Sequence, residues 1–366
     1  MTRDEIWEQA AQVVVAAGLI PIVISKTLIE LLQVIMTDEQ AEFVRLFDKP
    51  SLNIDQLKEK SNQGESELQE MLDSLMHAGV IVGLPSRRTG IMVYRLLGPF
   101  PGLFEYTNLR GETGEKQKKL ARLFEDLFGE MRNFTQDNYD VFVDQAKNFP
   151  PVVRVVPIEQ EIQEAMGDKI MPTEEVSRII DKFDEIAVAH CYCRHSKDLV
   201  DQSCSVTDER LNCLLLGKSA RFASDYKFAQ LISKEEAKRI LVKSADEGLV
   251  HKSFHIHLDT ERDEEAICNC CKCCCGPFQM YYQGISPYHC YTNFLAVVDE
   301  DKCTLCETCI EVCPMETMEI EDDRVVVREA KCIGCGVCAH QCPDDAINMK
   351  RMDTRQVFVP PPRLAT

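Results

Sequence analysis

The sequence predicts an α+β protein in three structured parts: an N-terminal winged helix, a central α/β Cys-rich domain and a C-terminal domain with an internal cysteine repeat. Three observations carry this. Between residues 28 and 98, short helical patterns give way to two alternating, strand-like runs. Between 151 and 292, strands and helices alternate while eleven cysteines accumulate. Beyond residue 293, one four-cysteine spacing occurs twice.

The chain is 366 residues long, beyond the ~250–300 residues at which single cores stop growing, so several domains are expected. Its hydrophobic fraction of 45% supports ordinary buried cores. Acidic residues outnumber basic ones 60 to 41, giving a net charge of -19. Binding to polyanions needs Lys and Arg to neutralise phosphate, so neither nucleic acid nor an anionic membrane is expected as the main partner. An acidic surface suits docking onto a basic patch of a redox protein. The start, Met1-Thr-Arg-Asp-Glu, is acidic where a signal peptide carries a basic region. The apolar run Val13–Ile24 is too short to span a bilayer, and although it continues past Lys26 into Leu28–Ile35, Lys26, Glu30 and Gln33 break it up, with Pro21 inside it. The expectation is a cytoplasmic protein without a membrane span. Nineteen cysteines in such a chain read as metal ligands and not as a disulfide framework.

In residues 1-98, Asp38–Phe47, Ile54–Lys60 after the cap-like Asn53, and Glu65–Ala78 read as helices. Val80–Leu84 and Ile91–Leu96 alternate as strands around Pro85-Ser-Arg-Arg-Thr-Gly90. That order is a winged helix-turn-helix. A DNA-reading second helix should carry Arg, Lys, Asn or Gln, but Glu65–Ala78 holds Glu65, Glu67, Glu70 and Asp73 and no Lys or Arg; only Arg87 and Arg88 at the wing are basic. Residues 99-150 form a helical connector in which Leu120, Leu123, Phe124, Leu127, Phe128 and Met131 make a helical apolar stripe, read as packing surface.

Residues 151-292 follow the Pro150-Pro151 joint. A helix is expected over Thr173–Asp184, then a strand Glu185–His190 that delivers Cys191 and Cys193. A helix from Ser233, with Glu236 in capping-box position, runs to Gly248 before a strand around Val250–Leu258. Residues 353-366, with Pro360-Pro361-Pro362, read as an extended tail.

Cys303, Cys306, Cys309 and Cys313 obey C-x2-C-x2-C-x3-C-P, and Cys332, Cys335, Cys338 and Cys342 repeat it 29 residues later. Three thiolates on a tight loop reach three irons of one cubane, and the fourth, ahead of proline, ligates the other cluster. This assigns Cys303, Cys306, Cys309 and Cys342 to one [4Fe–4S] cluster and Cys332, Cys335, Cys338 and Cys313 to a second. Residues 293-352 thus resemble the bacterial two-cluster ferredoxins, which implies a C-terminal ferredoxin-like two-cluster domain carrying electrons. Met318-Glu-Ile and Arg324-Val-Val-Val-Arg predict a hairpin between the clusters. Gly334 and Gly336 are expected to let the second loop close on sulfide; their first-loop counterparts are Leu305 and Glu307.

The middle field comprises Cys191, Cys193, Cys204, Cys213, Cys268, Cys270, Cys271, Cys273, Cys274, Cys275 and Cys290. On a strand, Cys191 and Cys193 would share a face. Neighbouring side chains diverge, so the six cysteines of 268–275 cannot all serve one metal; Cys270 with Cys273, or Cys271 with Cys274, could pair. A third iron–sulfur centre is the favoured reading, zinc or free thiols the alternatives, and the first ten of these cysteines are the candidate ligands. Arg194, His195, His251, His255 and His257 could supply protons or hold an anion nearby.

The stretches Val93-Tyr-Arg-Leu-Leu, Phe100-Pro-Gly-Leu-Phe-Glu-Tyr, Cys191-Tyr-Cys-Arg, Gly248-Leu-Val-His and Ile267-Cys-Asn-Cys-Cys-Lys-Cys-Cys-Cys are similar to a family of anaerobe iron–sulfur proteins that join a winged helix, a Cys-rich middle domain and a ferredoxin domain. The resemblance implies electron transfer in anaerobic metabolism. Cys274-Cys275-Gly276 is also similar to the motif of heterodisulfide reductase cluster domains, but their second, widely spaced pair is not matched, and that chemistry is not carried over.

No G-x-G-x-x-G follows a strand, and no P-loop or G-x-S-x-G elbow occurs, so nucleotide, flavin and serine-hydrolase chemistry are not indicated. The reading is an electron-transfer protein whose ferredoxin clusters serve a further centre and a partner oxidoreductase. The alternatives are a reductase binding substrate at the middle centre and a winged-helix redox-responsive regulator.

Overall fold

The structure is a computed structural model describing residues 1–20, 22–86, 88–151, 153–162, 174–254 and 264–364. Pro21, Arg87, Thr173, His255 and His257, singled out above, lie outside the described residues. The chain divides into two units. The first comprises Met1–Met131, His195–Gln202 and Phe222–Ala229, the second Arg132–Arg194, Ser203–Arg221 and Gln230–Thr366.

In the first unit, local capping sets the helices. α1 (Arg3–Ala17), α2 (Lys26–Ile35), α3 (Asp38–Val44) and, after β1 (Ser51–Asn53), α4 (Ile54–Ser61) begin behind Thr2, Ser25, Thr37 and Asn53, whose side chains each accept a first-turn N–H. α5 (Glu65–His77) leads into β2 (Ile81–Pro85) and β3 (Met92–Leu96), and β3 lies between β1 and β2 in a three-stranded sheet. Leu68, Leu72, Leu75 and Met76 recur at helical spacing and are buried. α6 (Leu103–Asn108) and α7 (Glu115–Asp137) follow, and the expected stripe on α7 packs Phe124 and Phe128 against Phe100 and Phe104.

The second unit begins within α7 and continues through α8 (Tyr139–Ala146), β4 (Val153–Val156), α9 (Val176–Asp181), β5 (Ile186–His190), the start of α10 (Tyr192–Asp198), β6 (Leu211–Leu216) and the start of α11 (Lys218–Asp225), the later residues of both helices belonging to the first unit. Next come β7 (Gln230–Ile232), α12 (Lys234–Asp246), β8 (Val250–Phe254), β9 (Ala266–Cys270), α13 (Gly276–Tyr282) and β10 (Tyr288–Val298). The C-terminal part holds α14 (Thr308–Val312), β11 (Met318–Glu321), β12 (Arg324–Val327), α15 (Val337–His340) and β13 (Ile347–Val359). One sheet runs β13-β10-β4-β8-β9-β6-β5-β7. Ile179, Ile180, Leu214, Leu241 and Ile267 meet in its main hydrophobic cluster. No helix among the described residues is long and apolar enough to cross a membrane.

Three expectations are corrected. The central part is not α/β: its strands pair antiparallel throughout, β10 with β4 alone being parallel. Its helices therefore do not work as crossovers between parallel strands, and the mixed architecture is α+β. Second, β5 stops at His190, so Cys193 sits in the first turn of α10 and shares no strand face with Cys191. Third, β13 continues to Val359, where Val359 faces Tyr288 on β10, so the extended segment begins only at Pro360. Gly334 is also required by its protein neighbours. Its φ is +62°, and a Cβ there would lie 2.2 Å from the Phe294 carbonyl oxygen.

Candidate metal centres

The two dicluster loops have the same backbone. Leu305 and Glu307 take φ of 56° and 63°, and Gly334 and Gly336 take 62° and 81°. The left-handed turns wrap each loop around a hollow. Cys303, Cys306, Cys309 and Cys342 line one cavity of about 330 Å³. Cys313, Cys332, Cys335 and Cys338 line another of about 310 Å³. Each hollow thus receives three thiols from one loop and the proline-adjacent thiol of the other. The repeat extends to the amides: Thr317 N–H donates to Cys313 Sγ at 3.3 Å, and Ala346 N–H to Cys342 Sγ at 3.3 Å. Such N–H···S bonds tune a bound cluster. The hairpin β11–β12 lies between the two loops, as expected.

The ten middle cysteines separate into two groups. Cys191, Cys193, Cys213, Cys268, Cys270 and Cys275 line a third cavity, of about 350 Å³. β6 and β9 are neighbours, Leu214 facing Ile267, which brings Cys213 beside Cys268 despite their separation in sequence. β9 supplies Cys268 and Cys270 and the start of α13 supplies Cys275, while Gly276 N–H donates to Cys193 Sγ at 3.1 Å. Cys204, Cys271, Cys273 and Cys274 form a quartet whose sulfurs all lie within 4.8 Å of one another. Cys271 also lines the third cavity. The pairing Cys270–Cys273 is not found, because Cys270 ends β9 and the chain turns immediately after it. Cys290 is buried on β10 and does not line the third cavity; burial pushes its thiol up to about 12.

Two fully buried cations accompany these thiols. The Lys252 ammonium is 3.5 Å from Cys275 Sγ and 3.5 Å from the centroid of the Phe278 ring, which stacks on Tyr288. Arg194 donates to Asn212 Oδ1 at 2.8 Å and to the Asn269 carbonyl at 2.7 Å. No carboxylate pairs with either cation among the described residues. An uncompensated buried charge is strongly unfavourable, so the sulfur groups must carry the balancing negative charge. Against burial, hydrogen bonds from Cys193 and Cys270 and the Lys252 ammonium hold the Cys275 thiol well below its ordinary value. Burial pushes Cys193 up, and neighbouring thiols raise Cys268 and Cys270.

Asn212 lines the third cavity, and its Nδ2, like Arg194 Nε, is a buried donor with no partner among the described residues. Orphaned donors beside thiols suit an anionic inorganic sulfide, so the residues fit an iron–sulfur cluster. Among the expected histidines, His251 is buried against Asn269 Oδ1, and His195 bonds the Glu112 carbonyl within the first unit. Lys252 escaped the sequence reading; a lysine inside Val250-His-Lys-Ser-Phe, within a cysteine-rich part, is the one signal that could have marked it.

Residues 295–357 match the family model of the 4Fe-4S dicluster domain. No curated protein and no solved structure matches the chain. The C-terminal part is therefore a dicluster iron–sulfur domain of the ferredoxin type, which points to electron transfer, and the middle cysteines offer a further metal centre.

Proposed function

We propose that the chain is an electron-transfer iron–sulfur protein. Its two [4Fe–4S] clusters exchange electrons with a third iron–sulfur centre held by four thiolates drawn from Cys191, Cys193, Cys213, Cys268, Cys270 and Cys275, and the relay serves a partner oxidoreductase in anaerobic cytoplasmic metabolism. The observation that carries this is the third cavity. At about 350 Å³ it matches the 330 and 310 Å³ hollows of the dicluster loops, and like them it is walled by cysteines. Buried Lys252 and Arg194 would offset the charge of an anionic cluster there.

Residues 1-98 read as a winged helix: α4 and α5 lead into the β2–β3 hairpin, which β1 completes as a sheet. Glu65, Glu67 and Glu70 are exposed along α5, which supports protein contact over DNA. With a net charge of -19, the partner would present a basic docking patch.

Iron and acid-labile sulfide analysis of anaerobically purified protein tests the reading. Three cubanes give about twelve irons per chain, whereas a protein with the dicluster domain alone holds about eight. A count of eight sinks the third centre.

A further inference from the structure

We propose that Cys204, Cys271, Cys273 and Cys274 form a separate mononuclear site that holds one zinc ion in a closed tetrathiolate shell. This goes beyond the electron relay and does not depend on the third cluster.

The geometry points to a single ion. Cys204 Sγ lies 3.6 Å from Cys271 Sγ and 3.5 Å from Cys273 Sγ, and Cys273 Sγ lies 3.6 Å from Cys274 Sγ. A tetrahedron with zinc–sulfur bonds of ~2.3 Å has sulfur–sulfur edges of ~3.8 Å. A disulfide needs sulfurs at ~2.05 Å, and all four thiols are free. A cubane places its four thiolates on four different irons and so holds them apart. The molecule contains its own comparison: no other group of three or more ligand side chains among the described residues is drawn within 4.8 Å, the eight dicluster cysteines included.

The location gives the ion its task. Residues 201–210, between α10 and β6, contain no helix or strand. Cys204 comes from this stretch, while Cys271, Cys273 and Cys274 come from the turn between β9 and α13. One ion joins the irregular stretch to the turn, and Leu249 packs against Cys271 and Cys274 below it. Four protein thiolates leave no open position, which is the pattern of structural zinc and not of a catalytic ion. Loading is redox-neutral: Zn²⁺ displaces the thiol protons, four zinc–sulfur bonds form, and the shell carries a net charge of two minus. The buried Arg194 guanidinium interacts with Cys271 and offsets part of it.

The test uses the full chain purified without oxygen. Metal analysis should find about one zinc per chain alongside the iron, and zinc-edge X-ray absorption should show four sulfurs at ~2.3 Å. Cys273→Ser should release the zinc while the iron count and cluster EPR signals stay unchanged. Cys204→Ser gives the same reading if the first variant fails to fold, and the absorption measurement on unaltered protein needs no variant. Zinc absent from the unaltered protein, a lone tetrahedral iron in its place, or a fall of about four irons in either variant overturns the proposal. Fewer than about twelve irons with zinc present would remove the third cluster and leave this site standing.

Discussion

The ammonium of Lys252 lies 3.5 Å from the sulfur of Cys275, and both groups are shut away from water. Each electron added to a cluster makes it more negative, so a neighbouring fixed cation stabilises the reduced form. A Coulomb attraction of about 2–4 kcal/mol at an effective dielectric of ~20 corresponds to roughly 100 mV for one electron. Lys252→Met should therefore lower the potential of the middle centre by about 100 mV, read by EPR-monitored redox titration. A shift confined to the dicluster signals would contradict the placement.

The crossed thiols make an asymmetric prediction. Cys313 belongs by sequence to the first loop but lines the hollow of Cys332, Cys335 and Cys338. Cys313→Ser should perturb or remove the cluster of the second loop, and Cys342→Ser that of the first. Pairing each variant with a second-loop substitution such as Cys335→Ser separates the cases: Cys313→Ser with Cys335→Ser should damage one EPR signal, Cys342→Ser with Cys335→Ser both.

Gly334 and Glu307 occupy left-handed backbone for different neighbours. Gly334→Ala would drive a Cβ to 2.5 Å from Thr292 Oγ1 as well as into the Phe294 carbonyl. Overpacking of this kind should destabilise the second unit by at least ~2 kcal/mol and lower its cluster content. Glu307 is exposed, with φ of 63°. Glu307→Gly should relieve about 1 kcal/mol of strain and raise the denaturant midpoint. A loss of stability in Glu307→Gly would show that its side chain matters more than its backbone.

In the first unit, Glu105 accepts the Gly102 N–H at the start of α6, and burial pushes its carboxyl up to about 7 from 4.5. The folded form then binds more protons than the unfolded form between these values, so stability is full below pH 4.5 and is lost as pH rises through 7. The carboxyl keeps some solvent contact, so the loss should be below the ~3 kcal/mol of a dry group. Chemical unfolding across pH 5–8 should show this slope, and Glu105→Gln, which keeps an accepting oxygen, should flatten it. An unchanged slope in the variant would clear Glu105 of the effect.

Much of the fold was legible because local rules governed it. Asn53 and Ser233 cap α4 and α12 by side-chain bonds that the sequence announces, and the stripe ending at Met76 faces the core at helical period. The dicluster thiols were legible because their spacing is fixed by a cubane. The middle field resisted because its sorting is tertiary. Cys270 and Cys271 are adjacent in sequence and both line the third hollow, yet only Cys271 joins the quartet, a division set by the end of β9. Cys204 joins the quartet from an irregular stretch for which no periodicity exists. Strand order was equally hidden: alternating helices and strands suggested parallel crossovers, whereas register pairs β6 with β9 head to tail.

β10 runs for 11 residues, and β13 pairs with it from Tyr288 to Val298 while its other side meets β4. The dicluster module is thus woven into the same sheet that carries the middle cysteines, without a tether on which it could swing. Tunnelling between the cavities would cross a fixed gap. Its rate should be indifferent to viscosity and salt, unlike carriers that must diffuse and dock for every turnover.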